Sequence, residues 1–212
     1  MNLPLPEIRD NIVYCNTAGI SSGIPDKISS ALEHRPTLEI RAMGDKLVGL
    51  AIPFNRRSKD LGGFCEIVRP QAVTALSGDV VALYNHDAGA VLGRTPKTLQ
   101  LTADERGLSF SLTVAPTAIG RDVLALVDRG DLAAASFGFV TRADRWTKDG
   151  ALPIRELLDI ELREISLVAF PAYADTNVEM ARRSLTAWQA NQDNRPVILK
   201  SIAWLKLRQR AR

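Results

Sequence analysis

The strongest constraint on the fold is a period of two. In "KTLQLTADERGLSFSLTVAP", Leu99 and Leu101 alternate with polar residues, "ADERG" turns the chain, and Leu108, Phe110, Leu112 and Val114 alternate again. Side chains of a strand point alternately to opposite faces, so this pattern predicts a hairpin with one apolar face. Shorter runs repeat the texture in "TLEIRAM", "KLVGLAIPF", "DVVALYNHD" ending at His86, "GDLAAASFGFV", and from about Leu158 to Val168. The best helical spacing is in "TAIGRDVLALVDRG": Ile119, Val123, Leu126 and Val127 share a face, Thr117 stands at the N-cap and Gly130 at the C-terminal cap. A short helix is also expected at Pro70, and a late one after Pro171, with Thr176 and Glu179 at capping-box spacing. Strands and helices do not alternate, which disfavours a doubly wound parallel sheet. The expected fold is mainly β with helices (α+β): a closed or nearly closed β-barrel of six or seven strands surrounded by helices.

Residues 1–36 read as a partly ordered N-terminal extension. They hold Pro4, Pro6, Pro25 and Pro36, with a short helix expected in "PDKISSALEH". Residues 37–183 form the main domain, with the stretch from Thr141 to Pro153 expected as a polar loop. Residues 184–212 form a basic tail, possible as a helix after Pro196, whose last 19 residues carry six Lys/Arg and no acid. Such a tail is either a solvated terminal helix or a docking segment for an acidic partner or nucleic acid. The net charge of +3 and 6% aromatic residues argue against nucleic acid as the main partner. Of the two cysteines, Cys15 and Cys65, and two histidines, His34 and His86, no pair has metal-ligand spacing. Neither a metal nor a cofactor is expected. The start "MNLPLPEIRD" has no signal-peptide pattern, and no apolar run approaches the roughly 20 residues of a membrane-spanning helix. An intracellular, membrane-free protein is expected.

Three features could carry chemistry. Ser136 is the one hydroxyl in the strand "GDLAAASFGFV", and Gly138 clears space beside it on the same face. His86 closes a strand at "LYNHD", whereas His34 falls in the extension. Glu164 interrupts the apolar "DIELREISLVAF", where an unpaired carboxylate would be costly to bury; Asp159, Glu161 and Asp87 compete for its role. Local chemistry alone leaves the alternatives open: a small-residue seam around Ser136, and a surface histidine at 86.

Taken together, "LYNHDAGAVLGRT", "GDLAAASFGFV" and "LREISLVAFPAYADT", with "DLGGFCEIV" and "DERGLSFSLTVAPTAIGRDVLALVDRGDL", resemble the prohead proteases of tailed phages with the HK97-type capsid. The likeness covers roughly residues 37–183. It implies a serine endopeptidase related in fold to the herpesvirus maturation proteases. Ser136 would be the nucleophile, His86 the base, and Glu164 the residue that orients the base. The herpesvirus enzymes use a second histidine in third place, which makes Glu164 the least secure assignment; His34, outside the likeness, is a poor substitute. Arg94 and Arg142 are weak candidates for helpers of the oxyanion. The implied role is cleavage of the scaffold region of the major capsid protein, and of the enzyme itself, inside the prohead in the bacterial cytoplasm. Dimerisation would be in keeping with the herpesvirus relatives. The rivals are a non-catalytic barrel that binds capsid or scaffold, and a cysteine hydrolase built on Cys65 and His86. The "RGD" at 129–131 is best explained by chance.

Overall fold

Two strands, each three times the usual length, organise the molecule. The computed structural model describes residues 7–9, 12–14, 32–37, 39–73, 78–169 and 181–190. β11 (Ala134–Asp149) and β12 (Leu152–Val168) pair antiparallel from Ala134↔Val168 to Asp149↔Leu152, joined by a tight turn in which Gly150 takes φ 80°. That left-handed value suits glycine.

The other strands hang on this pair. Along the free edge of β11, β3 (Glu33–Thr37) pairs beside Ser136, and β2 (Ile12–Tyr14) pairs further on and carries β1 (Glu7–Arg9). Along the free edge of β12, β6 (Cys65–Val68) and β7 (Val81–Tyr84) pair parallel, and β8 (Asp87–Arg94) folds back on β7. A second sheet runs β4 (Glu39–Met43), β5 (Lys46–Pro53), β10 (Gly107–Thr113), β9 (Leu99–Ala103).

The core lies between the sheets. Leu47, Ile52, Leu108 and Leu112 of the small sheet join Ala135, Phe137, Phe139, Ile165 and Leu167 of the large one in one buried cluster, sealed by Val123 and Val127 of helix α1 (Ala118–Arg129). α1 starts and stops where its sequence says it should. Thr117 Oγ1 accepts from Gly120 N at 3.1 Å, and Gly130, at φ 82°, donates its N–H to the carbonyls of Leu126 and Val127.

Three expectations need correction. The described strands number twelve, in sheets of eight and four, and no pairing among the described residues joins the sheets into a barrel. The apolar faces stack, and closure is not needed to bury them. The polar loop expected after Val140 is strand through Asp149. Bulges between Thr141 and Asp144 break the alternation there, and several of the polar residues are buried. Finally, part of the segment read as an extension belongs to the large sheet: β1 and β2 as well as β3, which starts at Glu33. The residues read as the end of a helix from Pro25 are extended at His34, as expected of chain approaching Pro36. The rest of that segment, the Thr176–Glu179 box and the tail after 190 lie outside the described residues.

What occupies those polar positions is a buried network of ions. Arg155, 0% exposed, donates to Asp144 Oδ2 at 2.5 Å, Glu33 Oε2 at 2.7 Å and Glu66 Oε2 at 3.1 Å. Arg35 donates to Glu66 Oε1 and Glu33 Oε2, each at 2.8 Å, and Thr141 Oγ1 donates to Glu33 at 2.6 Å. Ser184, on the helical residues 181–190, donates to Asp144 at 2.9 Å and accepts from Trp146 Nε1 at 2.7 Å. Burial alone would raise the Glu33 carboxyl, but the charges of Arg155 and Arg35 outweigh it and hold Glu33 below its ordinary value. At Asp144 burial wins and pushes the carboxyl up. Removing one partner from such a set strands the others without solvent. Arg155→Met is expected to lower unfolding free energy by about 3–5 kcal/mol, read by urea denaturation. A loss below about 1 kcal/mol would show that the network is not a unit.

Candidate active site

The face of the large sheet turned away from the core carries the candidate residues. Alternation sends Phe137 and Phe139 into the core, so Ser136 and Gly138 face the other way. Register then brings Ser166 and Glu164 of β12 opposite Ser136 and Gly138, and Pro36 and His34 of β3 opposite them on the other side. His34, Gly138 and Glu164 therefore lie in one row across three strands. Gly138 is a necessary gap in that row. A Cβ there would sit 2.5 Å from Glu164 Cγ and 3.1 Å from His34 Cδ2. Without it, His34 Nε2 reaches over to Glu164 Oε1 at 3.2 Å.

His86 arrives from the opposite side. Asn85 and His86 form the two-residue turn between β7 and β8, with φ 52° and 61°. Positive φ at both positions marks the turn type that matches the twist of a hairpin. Asn85 N donates to Leu167 O at 2.9 Å and ties the turn to the end of β12. His86 Nδ1 bonds Glu164 Oε1 closely, and the two imidazole rings meet edge to face with centroids 4.3 Å apart. Both histidines converge on one carboxylate oxygen, to which Ser166 Oγ also donates at 3.3 Å.

The electrostatics decide which atoms carry protons. Burial would raise the Glu164 carboxyl; the hydrogen bonds of His34 and His86 and their charges outweigh it and bring it to about 2. An ionised carboxylate can only accept, so His86 Nδ1 and His34 Nε2 are the donors. In neutral His86 the lone pair is then on Nε2. Among the described residues His86 Nε2 and Ser136 Oγ are both buried without a hydrogen-bond partner, and they are not bonded to each other. Unpaired buried polar atoms are rare and call for a reason.

The competing residues fall away. Glu161 pairs with Arg142 and Arg163, Arg94 pairs with Asp79, Asp159 is exposed, and Asp87 accepts from Gly89 N within its own strand. Cys65 is buried on β6 opposite Ile154, ten residues along β12 from Glu164, or roughly 30 Å of strand. That separation disposes of a Cys65–His86 pair. The family resemblance singled out Ser136, His86 and Glu164 in the sequence but set His34 aside. The signal was present: in "EHRPT", His34 is flanked by Glu33 and Arg35, and Pro36 enforces extension. His34, His86 and Glu164 also offer three ligand atoms within 4.8 Å of one another, a cluster the sequence spacing does not reveal.

A family model described as caudovirus prohead serine protease matches residues 35–191. The chain belongs to that family. This protease is similar to one solved structure, the bacteriophage T4 capsid assembly protease, gp21, at 10% identity and a TM-score of 0.42, over 66% of this chain and 98% of that one. A search of curated proteins finds no match. Membership makes the chain a serine protease of capsid maturation, with a capsid protein as substrate. No helix among the described residues is long and apolar enough to cross a membrane.

The shifted carboxyl has a consequence for stability. Glu164 titrates near 2 in the folded chain against an ordinary 4.5. A depressed value means stability that is fully present above about pH 4.5 and lost as pH falls toward 2. Glu164→Gln should flatten the acid limb of the stability profile between those values, measured by urea unfolding at stepped pH. An unchanged slope would mean that the carboxylate is not held by the two histidines.

Proposed function

We propose that Ser136, His86 and Glu164 are the catalytic triad of the protease, and that it cuts the scaffold region of the major capsid protein inside the prohead and then its own ends. The observation that carries this reading is His86: its Nδ1 is held by an ionised carboxylate and its Nε2 is left unpaired on the face that presents Ser136. That is the tautomer a general base needs.

The steps follow from the donor pattern. Ser136 Oγ attacks the scissile carbonyl carbon while its proton passes to His86 Nε2. Glu164 stabilises the imidazolium that forms. The tetrahedral intermediate collapses, the C–N bond breaks, and His86 returns the proton to the leaving amine. Water, deprotonated by the same Nε2, then cleaves the acyl ester and restores Ser136. Ser136 and His86 must close to hydrogen-bond distance when substrate binds, as catalytic contacts commonly do. The third place is shared: Glu164 holds His86, and His34 holds Glu164 from the far side.

Cleavage of the phage's own capsid precursor tests the assignment. Ser136→Ala and His86→Ala are each expected to lose on the order of 10⁶-fold in kcat, in effect to the detection limit. Glu164→Gln should lose about 10⁴-fold, and Cys65→Ala should retain activity. Cleavage by the Ser136→Ala chain would overturn the assignment. Precursor binding without cleavage by the unsubstituted chain would favour the scaffold-binding reading.

Self-cleavage has a separate readout. Intact-mass spectrometry of the active chain should show trimmed termini that the Ser136→Ala chain keeps. Identical termini in both would remove self-cleavage from the proposal.

A further inference from the structure

The convergence of two imidazoles on one carboxylate oxygen is more than triad geometry requires. Orienting His86 needs a single acceptor. The second imidazole, His34, turns the pair into a set of three donors: two ring nitrogens and a carboxylate oxygen, all within 4.8 Å of one another. Around a tetrahedral zinc ion, with bonds of about 2.0–2.2 Å, neighbouring ligand atoms stand roughly 3.3–3.5 Å apart. His34 Nε2 and Glu164 Oε1, at 3.2 Å, already have that spacing. His86 Nδ1 lies closer to the same oxygen and has to withdraw by roughly 1 Å to reach that spacing, a movement within reach of a side-chain rotation at a hairpin tip. Two histidines with one glutamate is a donor set suited to zinc among the available divalent metals. The side chains are 18%, 27% and 11% exposed for His34, His86 and Glu164, so an ion can enter from solvent.

We propose that His34, His86 and Glu164 form a zinc-binding site, and that zinc held there switches the protease off. The second half rests on the triad assignment above. The mechanism is a change of tautomer. A neutral imidazole carries one ring proton. When Nδ1 of His86 binds the metal, that proton sits on Nε2. Nε2 then donates and cannot take the proton of Ser136, and Glu164 is no longer free to stabilise an imidazolium. The ion does not need to touch the nucleophile to stop the reaction. The three protein ligands leave a fourth position for water, and Ser166 Oγ, 3.3 Å from the shared oxygen, supports the carboxylate from behind. With so little outer support the site suits a reversible inhibitor and not a permanent structural ion.

The test separates binding from inhibition by using the full-length Ser136→Ala chain, which cannot process itself and keeps all three ligands. Titration with zinc chloride by calorimetry should give one saturable site. Adding His34→Ala or His34→Gln should weaken that site by about tenfold or more. In case these variants fold poorly, cobalt(II) added to the Ser136→Ala chain alone should give the visible absorption of a tetrahedral nitrogen–oxygen site, lost when zinc displaces it. Absence of saturable binding, affinity unchanged from the Ser136→Ala chain in both His34 variants, or a thiolate-to-cobalt charge-transfer band would each overturn the site. On the unsubstituted chain, zinc should suppress precursor cleavage and a chelator should restore it. Zinc binding with unchanged cleavage would overturn the switch. A chain inactive before and after chelation would instead count against the triad, leaving the binding result to stand by itself.

Discussion

Arg155 is the residue on which most of the architecture turns. Its guanidinium has no solvent to fall back on, and it is satisfied only if Glu33, Glu66 and Asp144 all arrive. Those three acids come from β3, β6 and β11, and Arg155 itself from β12. Four strands from distant parts of the chain are therefore committed to one geometry. Hydrophobic burial between the sheets supplies the drive to collapse, but it tolerates sliding. A fork of hydrogen-bonded charges does not, because each misplaced partner is left buried and unpaired.

The same network supports the candidate site from behind. On β3, Glu33 and Arg35 turn toward the ions and His34 turns to the opposite face, by simple alternation. Fixing two acidic and basic anchors either side of it sets where the imidazole stands. Glu164 is fixed in the same way from β12, with Ile165 locked in the core beside it. His86 is set differently, by a two-residue turn whose backbone is strained for a residue with a side chain. Three positioning devices thus meet at one oxygen: an alternating strand in an ionic clamp, an alternating strand in an apolar core, and a hairpin tip.

How much of this was readable from residue order follows from which physics was local. The caps of α1 at Thr117 and Gly130 and the β9–β10 hairpin were legible because propensity and period act within a few residues. Ser136 and Gly138 could be set on one face for the same reason, whereas Glu164 joins them only through the register of β12. The 16-residue length of β11 was not legible. Its second half buries Thr141 and Asp144 against partners up to 108 residues away, Thr141 on Glu33 and Asp144 on Arg155 and Ser184, and polar residues with distant partners read as a loop. His34 was hidden for a related cause. Its neighbours look like surface charges until Arg155 and Glu66 are in view, and a strand that belongs to the sheet was read as the tail of an extension. The barrel failed because a list of strands does not say whether faces stack or edges meet.

The position of β3 also bears on how the molecule could age. The match to the family begins at residue 35, and the strand begins at Glu33. Chain upstream of Glu33 can be lost with every partner of Arg155 still in place. A cut two residues later removes one carboxylate from the ion cluster and one imidazole from the candidate site together. Within a single short segment, then, a nick before Glu33 costs the sheet β1 and β2 but spares the ion cluster, and a nick two residues on breaks the cluster and the candidate site at once.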